Sequence, residues 1–174
     1  MSIDLLNQYR TEILELAENG RWGDALSRID ENPELAVAKF DFDNTLLIDL
    51  ACLPKASAVI YRLIELGANV NHRSGSGKTA IEQTLWGGSN HGLSTLDELK
   101  LLLEKGADPS VGASTGAPLL QLAIERSRLE HAKLLLENGA SPAQLSADLR
   151  PENAFDVAKR LRNTAALELL DRFK

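Results

Sequence analysis

The sequence predicts an all-α solenoid built from stacked helix pairs. Three observations predict it. The stretch Leu96-Asp-Glu-Leu-Lys-Leu-Leu-Leu-Glu-Lys-Gly-Ala107 recurs as Leu129-Glu-His-Ala-Lys-Leu-Leu-Leu-Glu-Asn-Gly-Ala140, with eight of twelve positions identical and the glycines Gly106 and Gly139 spaced 33 apart. Within each copy the apolar residues fall at helical spacing, as in Leu96, Leu99, Leu102 and Leu103. A glycine follows directly, and glycine reaches the left-handed conformation that closes a helix without the penalty a Cβ imposes.

The elements follow in chain order. Ile3–Asn19 is an amphipathic helix using Leu5, Leu6, Ile13, Leu14 and Leu16, and Gly20 stops it. The charge run Glu12–Glu18 is its wet face. Asp24–Asp30 forms a second short helix, with Trp22, Ala25, Leu26 and Ile29 apolar. Residues 1–40 are therefore a degenerate N-terminal capping pair. Three fuller units span 41–72, 73–111 and 112–145. Their first helices begin within Asn44–Ala51, Gly77–Thr84 and Gly116–Ala123, and a fourth begins within Pro151–Ala158. Thr79 and Asn153 serve as N-caps, because their side-chain oxygens take orphan backbone N–H groups. Pro118 suits a first helical turn.

Ala51, Ala123 and Ala158 are small enough to let a neighbouring helix pack close. A third copy of the second helix, Tyr61–Ala68, places Gly67 in the glycine slot, and polar turns follow: Asn69 and Asn71, Asp108 and Pro109, Ser141 and Pro142. The step from Gly67 to Gly106 is 39, so about six extra residues lie within Trp86–Thr95. Residues 146–174 are the C-terminal capping unit, with helices over Asn153–Arg162 and Thr164–Arg172. One such pair cannot bury its apolar face alone, whereas stacked pairs can. The expectation is about five units in a single domain, 1–174.

These motifs resemble the ankyrin repeat family. Gly77-Lys-Thr79 and Gly116-Ala-Pro118 match the start of that family's consensus, and Leu101-Leu-Leu-Glu-Lys-Gly-Ala-Asp108 matches its end. The resemblance runs from about Asp41 to Lys174. The consensus histidine of the first helix is replaced by Asp49, Glu82, Gln121 and Asp156. The resemblance implies short hairpin-like turns between units, a role in protein–protein recognition, and no catalytic residues.

Composition narrows the function. The net charge is −6 over 174 residues, with no Lys/Arg stripe to neutralise phosphates, so no nucleic-acid partner is expected. Cys52 is the one cysteine, so no internal disulfide forms; in the apolar run Leu46–Leu53 it is expected to be a small core residue. The N-terminus lacks the pattern of a signal peptide, and no run of about 18 apolar residues exists. A cytoplasmic monomer without membrane contact is the expectation.

Two motifs look like chemistry. Phe40-Asp-Phe-Asp-Asn-Thr-Leu-Leu47 matches the Asp-x-Asp-x-Thr motif of haloacid-dehalogenase-type phosphatases, in which Asp41 would attack phosphorus and Asp43 would be the acid/base. That fold needs a strand before the motif, over Leu35–Phe40, and that segment is short and lacks alternation. Ser74-Gly-Ser-Gly-Lys-Thr79 looks like the end of a P-loop, but His72 stands where the first glycine belongs, and a helix stop replaces the preceding strand. Lys78 is expected on the surface. His72, His91 and His131 are dispersed, and no metal or cofactor site is expected. His131, on an outer helix, is expected to be solvated.

The sequence therefore predicts a non-catalytic module that binds a partner protein through its turn tips and concave face. The tips carry Phe40, Asp41, Phe42 and Asp43, then His72 and Arg73, then Ser110 to Ser114. Candidate contact residues are Phe40, Asp41, Asp43, His72, Arg73, Trp86, Asn90 and His91, since aromatic and Arg side chains anchor interfaces and inserted loops carry function. The acids imply a partner with a basic patch. An inhibitor or immunity-type protein that occludes an enzyme is the alternative, and a phosphatase using Asp41 and Asp43 stands behind both.

Overall fold

Five helix starts are fixed by side chains one residue ahead of an apolar run. Thr45 accepts from the Ile48 N–H at 3.4 Å and Thr79 from that of Glu82 at 3.3 Å. Asn153 accepts from Asp156 at 3.1 Å and Asn163 from Ala166 at 3.0 Å; Ser2 does the same for Leu5 at 3.3 Å. Each removes one of the four unpaired donors of a helix N-terminus. Asp156 also accepts from the Asn153 N–H, closing a reciprocal capping box.

The computed structural model describes residues 2–87, 94–147, 149 and 151–173. All regular structure among them is helical, with three isolated β-bridges. The chain divides into two compact units, Met1–Ala107 and Asp108–Lys174. The first holds α1 (Ile3–Glu18), α2 (Trp22–Glu31), α3 (Leu46–Leu50), α4 (Ser57–Glu65), α5 (Ala80–Trp86) and α6 (Leu96–Glu104). Consecutive helices pair as α1 with α2, α3 with α4 and α5 with α6. The first helices of the pairs pack in one layer, α1 on α3 on α5, and the second helices in another, α2 on α4 on α6. The second unit holds α7 (Leu119–Glu125), α8 (Leu129–Glu137), α9 (Ala154–Arg160) and α10 (Thr164–Asp171), with α7 on α9 and α8 on α10. No helix among the described residues is long and apolar enough to cross a membrane.

The second helices end alike. After α4, α6 and α8, Gly67, Gly106 and Gly139 have φ of 100°, 90° and 98°. In each case the glycine N–H bonds three residues back and the following alanine N–H five residues back, as in Gly106 to Leu103 and Ala107 to Leu102. This pattern satisfies the last helical carbonyls. A side-chain turn comes next: Asn69 accepts from the Asn71 N–H, Asp108 from Ser110 and Ser141 from Ala143.

The core is aliphatic. Ile13, Ile29, Leu46, Leu50, Ile60, Leu63, Leu85 and Leu99 have no exposed surface in the first unit, nor do Leu119, Ile124, Leu135 and Leu170 in the second. At roughly 1.5–3 kcal/mol for each large aliphatic side chain, this burial is the main stabilising term.

The structure corrects four local expectations. His131 is buried on α8 at 4% exposure, not solvated. The heptad-like spacing of α8 puts it beside Ala132 and Leu135 on the inward face. Cys52 is half-buried rather than fully in the core. Pro118 is the N-cap of α7, one residue before the helix, with φ −57° and ψ 144°. Asp49 does not occupy the slot three residues after the cap; Ile48 does, because Thr45 caps α3 one residue earlier than the sequence frame implies.

Candidate functional site

The hairpins between helix pairs share one local frame. Ser74 donates its N–H to the Lys78 carbonyl, and the Gly77 N–H returns to Ser74; Ala113, Ala117 and Gly116 repeat the pair of bonds. Phe40 donates to Asn44 in the same way. Counted from the caps Thr45, Thr79 and Pro118, the residues Phe40, Ser74 and Ala113 each stand five positions earlier, and all three are buried. The fourth position of the frame is left-handed in all three: Asp43 (φ 55°), Gly77 (φ 80°) and Gly116 (φ 88°). Only the first hairpin places a non-glycine residue there, and it adds a second left-handed residue, Phe42 (φ 57°). Phe42 is 81% exposed.

The first tip is held from two sides. The Phe42 carbonyl accepts from the Gly75 N–H at 2.6 Å. The ring Nε2 of His72 lies 2.7 Å from the Asp43 carbonyl oxygen and 3.4 Å from Asp43 Oδ2. Lys39 donates to the Asp43 carboxylate at 2.9 Å. This hydrogen bond, with the charges of Lys39 and His72, holds the Asp43 carboxyl below its ordinary range. Beneath the tip, Arg10 of α1 donates Nε to Asp49 Oδ2 at 2.7 Å and lies 4.9 Å above the Phe40 ring. Asn44 Nδ2 donates to the other Asp49 oxygen at 2.6 Å. Two consecutive left-handed non-glycine residues therefore sit on a braced base.

The predicted contact residues separate into groups. Asp41 and Arg73 are exposed at their tips, and Asp43 and His72 join the two hairpins of the first unit. Arg73 also donates to the Gly77 carbonyl at 2.7 Å across its own hairpin. Phe40 is 5% exposed and is a core residue, so it is withdrawn as a contact. Phe42 takes its place. The cap register, which puts Phe40 in the buried slot of Ser74 and Ala113, is the sequence signal that separates the two. Arg10 was not foreseen, because nothing local links an arginine on α1 to Asp49, 39 residues on. Trp86 is 40% exposed at the end of α5, with its indole N–H 3.4 Å from Glu82 Oε1. Asn90 and His91 lie outside the described residues.

In the second unit, buried Gln121 of α7 donates Nε2 to the Gln144 carbonyl at 3.0 Å and to that of Glu152 at 2.6 Å. The Gly116 carbonyl accepts from Ala147 at 3.2 Å. One polar side chain thus fixes the connection ahead of α9. His131, buried nearer Arg128, has its pKa lowered to about 4, mainly by burial and then by that positive charge.

The two motifs that resemble chemistry have structural explanations here. Pro33–Ala36 is a 3-10 turn, and Phe40 pairs only locally, with Asn44; among the described residues no strand precedes Asp41. Lys78 is exposed, and Ser74 Oγ accepts from its N–H within the hairpin. Among the described residues no group of three His, Cys, Asp or Glu side chains is placed to hold a metal ion. Shallow grooves lie between α4 and α6, where Ser57, Tyr61, Lys100 and Leu101 line about 410 Å³, between α8 and α10, and between α1 and α2. No protein-family model matches the chain, and no curated protein sequence is significantly similar to it.

Proposed function

We propose that the chain is an ankyrin-type repeat protein whose function is to bind a partner protein, without catalysis, through the hairpin tips of its first unit. The supporting observation is the recurring connection itself. A glycine stop and a side-chain turn follow α4, α6 and α8, with the glycines 39 and 33 residues apart, and a hairpin of one frame precedes α3, α5 and α7. Each of these three hairpins carries a tip whose backbone is fixed by hydrogen bonds and whose central side chains face water. Asp41, Phe42 and Arg73 are exposed, with Ser76 and Lys78, on the two hairpins that brace each other. A pre-organised aromatic beside charged groups is the composition of an interface anchor, since little conformational freedom is lost when it is buried.

The first unit carries sixteen carboxylates against ten Lys and Arg, and the second nine against nine. That asymmetry favours the narrower reading of an inhibitor directed at a basic target. Both readings meet the same experiment. The full chain and a variant with Asp41→Ala, Phe42→Ala and Arg73→Ala, matched by circular dichroism, are used to capture partners from native lysate. A partner held by the wild type and lost by the variant supports recognition through the tips, and its identity separates scaffold from inhibitor. Equal capture by both removes the tips from the interface.

A further inference from the structure

We infer that Phe42 is a single-residue plug, inserted by the first hairpin into an apolar pocket of the partner, with Asp41 meeting a Lys or Arg at that pocket's rim. This rests on the protein-binding reading above and narrows it to one anchor and one partner chemistry.

The first argument is energetic. A left-handed conformation costs a non-glycine residue roughly 1–2 kcal/mol, and Phe42 and Asp43 adopt it in succession. The two other hairpins satisfy the same frame with one glycine and no second left-handed residue. The fold therefore has no need of the arrangement, whose effect is to hold a large aromatic ring in water at 81% exposure. Strain that survives because its surroundings over-determine it is a mark of functional positions. Here the surroundings are Gly75, His72 and Lys39.

The second argument is charge. Asp43 is neutralised by Lys39 and faces His72, whereas the Asp41 side chain is exposed and takes part in no ion pair among the described residues. The unit that carries it has a formal charge of −6, and the other unit is neutral. A cation on the partner answers both the local carboxylate and the field of the unit. An acidic surface would instead be repelled by Asp41 and by the net charge of the unit.

The test replaces Phe42 with the photoreactive analogue p-benzoylphenylalanine, which keeps a ring at the tip, in the full chain. The same analogue at Leu145, an exposed apolar position of the second unit, is the control. Illumination in native lysate is followed by mass-spectrometric mapping of the cross-linked peptide. The expected result is a cross-link from position 42 to a different protein, in a peptide that pairs apolar residues with Lys or Arg. Its yield should fall by about tenfold or more with Asp41→Lys, and fall as salt rises. The inference is overturned by a cross-linked peptide without a cation, by a yield indifferent to Asp41→Lys, or by cross-linking to a second copy of this chain. Cross-linking from Leu145 alone also overturns it but leaves the binding reading standing. No cross-link from either position removes both.

Discussion

The two compact units solve the same local problems with different residues. The second unit turns its hairpin with Gly116, balances its charges and fixes the next connection with the neutral amide of Gln121. The first turns one of its two hairpins with Gly77 and the other with Phe42 and Asp43, and it carries the whole net charge. It ties α1 to the hairpin base with the ion pair of Arg10 and Asp49, to which Asn44 adds a hydrogen bond. What differs between solutions to one geometry is what the geometry does not require. The strained aromatic tip and the acid excess of the first unit are then features to be explained by function, and the second unit is their internal control.

The sharpest way to break the comparison is at a site where the first unit has no freedom. Gly87 has ordinary dihedral angles, φ −74° and ψ 167°, yet a Cβ there would overlap the Cys52 carbonyl. The end of α5 packs directly on the backbone after α3. Gly87→Ala must move one of them, at a cost of about 3 kcal/mol. Gly139→Ala in the second unit meets nothing within 4 Å and bears only the left-handed penalty, so about 1 kcal/mol is expected. Urea unfolding of both variants checks this, and equal losses would mean that α5 and the α3–α4 connection part easily.

The next largest effect belongs to the second unit and depends on pH. His131 is neutral in the fold, with a pKa near 4 against about 6.5 when unfolded. Because its folded pKa is depressed, its stabilising contribution is complete above pH 6.5. It is lost as pH falls towards 4, when only the unfolded chain takes up the proton. Between pH 7.5 and 5.0 the loss is about 2 kcal/mol. His131→Gln should remove that share of the pH dependence, measured as urea midpoints at the two pH values. An unchanged slope would place the imidazole in contact with water.

Much of this was legible in the sequence, and what was not has a physical cause. Helix stops at Gly67, Gly106 and Gly139 and caps at Thr79 and Asn153 depend on chemistry within a few residues, and the structure keeps all five. Apolar spacing, caps and the repeat together anticipated the ten α-helices of the described residues, while the 3-10 helices Pro33–Ala36 and Asp41–Asp43 were not foreseen. The frame of α3 slipped by one because Asp49 resembles the polar residue expected after the cap, and only the hydrogen bond from Ile48 to Thr45 decides the register. His131 was misplaced because a histidine on a helix carries no local mark of whether its face is covered. The candidate site was half legible: the tips could be located, and the cap register separates buried Phe40 from exposed Phe42 once Thr45 is fixed as the cap, but the Arg10 contact beneath the tip arises only from tertiary packing.

The smallest expected effects bear most directly on the comparison between hairpins. Phe42→Ala keeps a Cβ in the left-handed region and removes only exposed ring, so stability should change by less than about 0.5 kcal/mol. Phe42→Gly relieves the strain and should raise stability by about 0.5–1 kcal/mol, the gain being trimmed by the extra freedom of glycine in the unfolded chain. In the second unit Gly116→Asp, at the position Asp43 holds in the first hairpin, should lower it by about 1 kcal/mol, since it puts an aspartate in the left-handed region without the Lys39 and His72 contacts that brace Asp43. Chemical denaturation of the three variants against the wild type reads all of these. If Phe42→Gly is no more stable than Phe42→Ala, the tip is not strained and the ring is exposed without cost. If it is more stable, a fold whose two other hairpins place no left-handed residue at that position gives up stability to hold an aromatic ring in water.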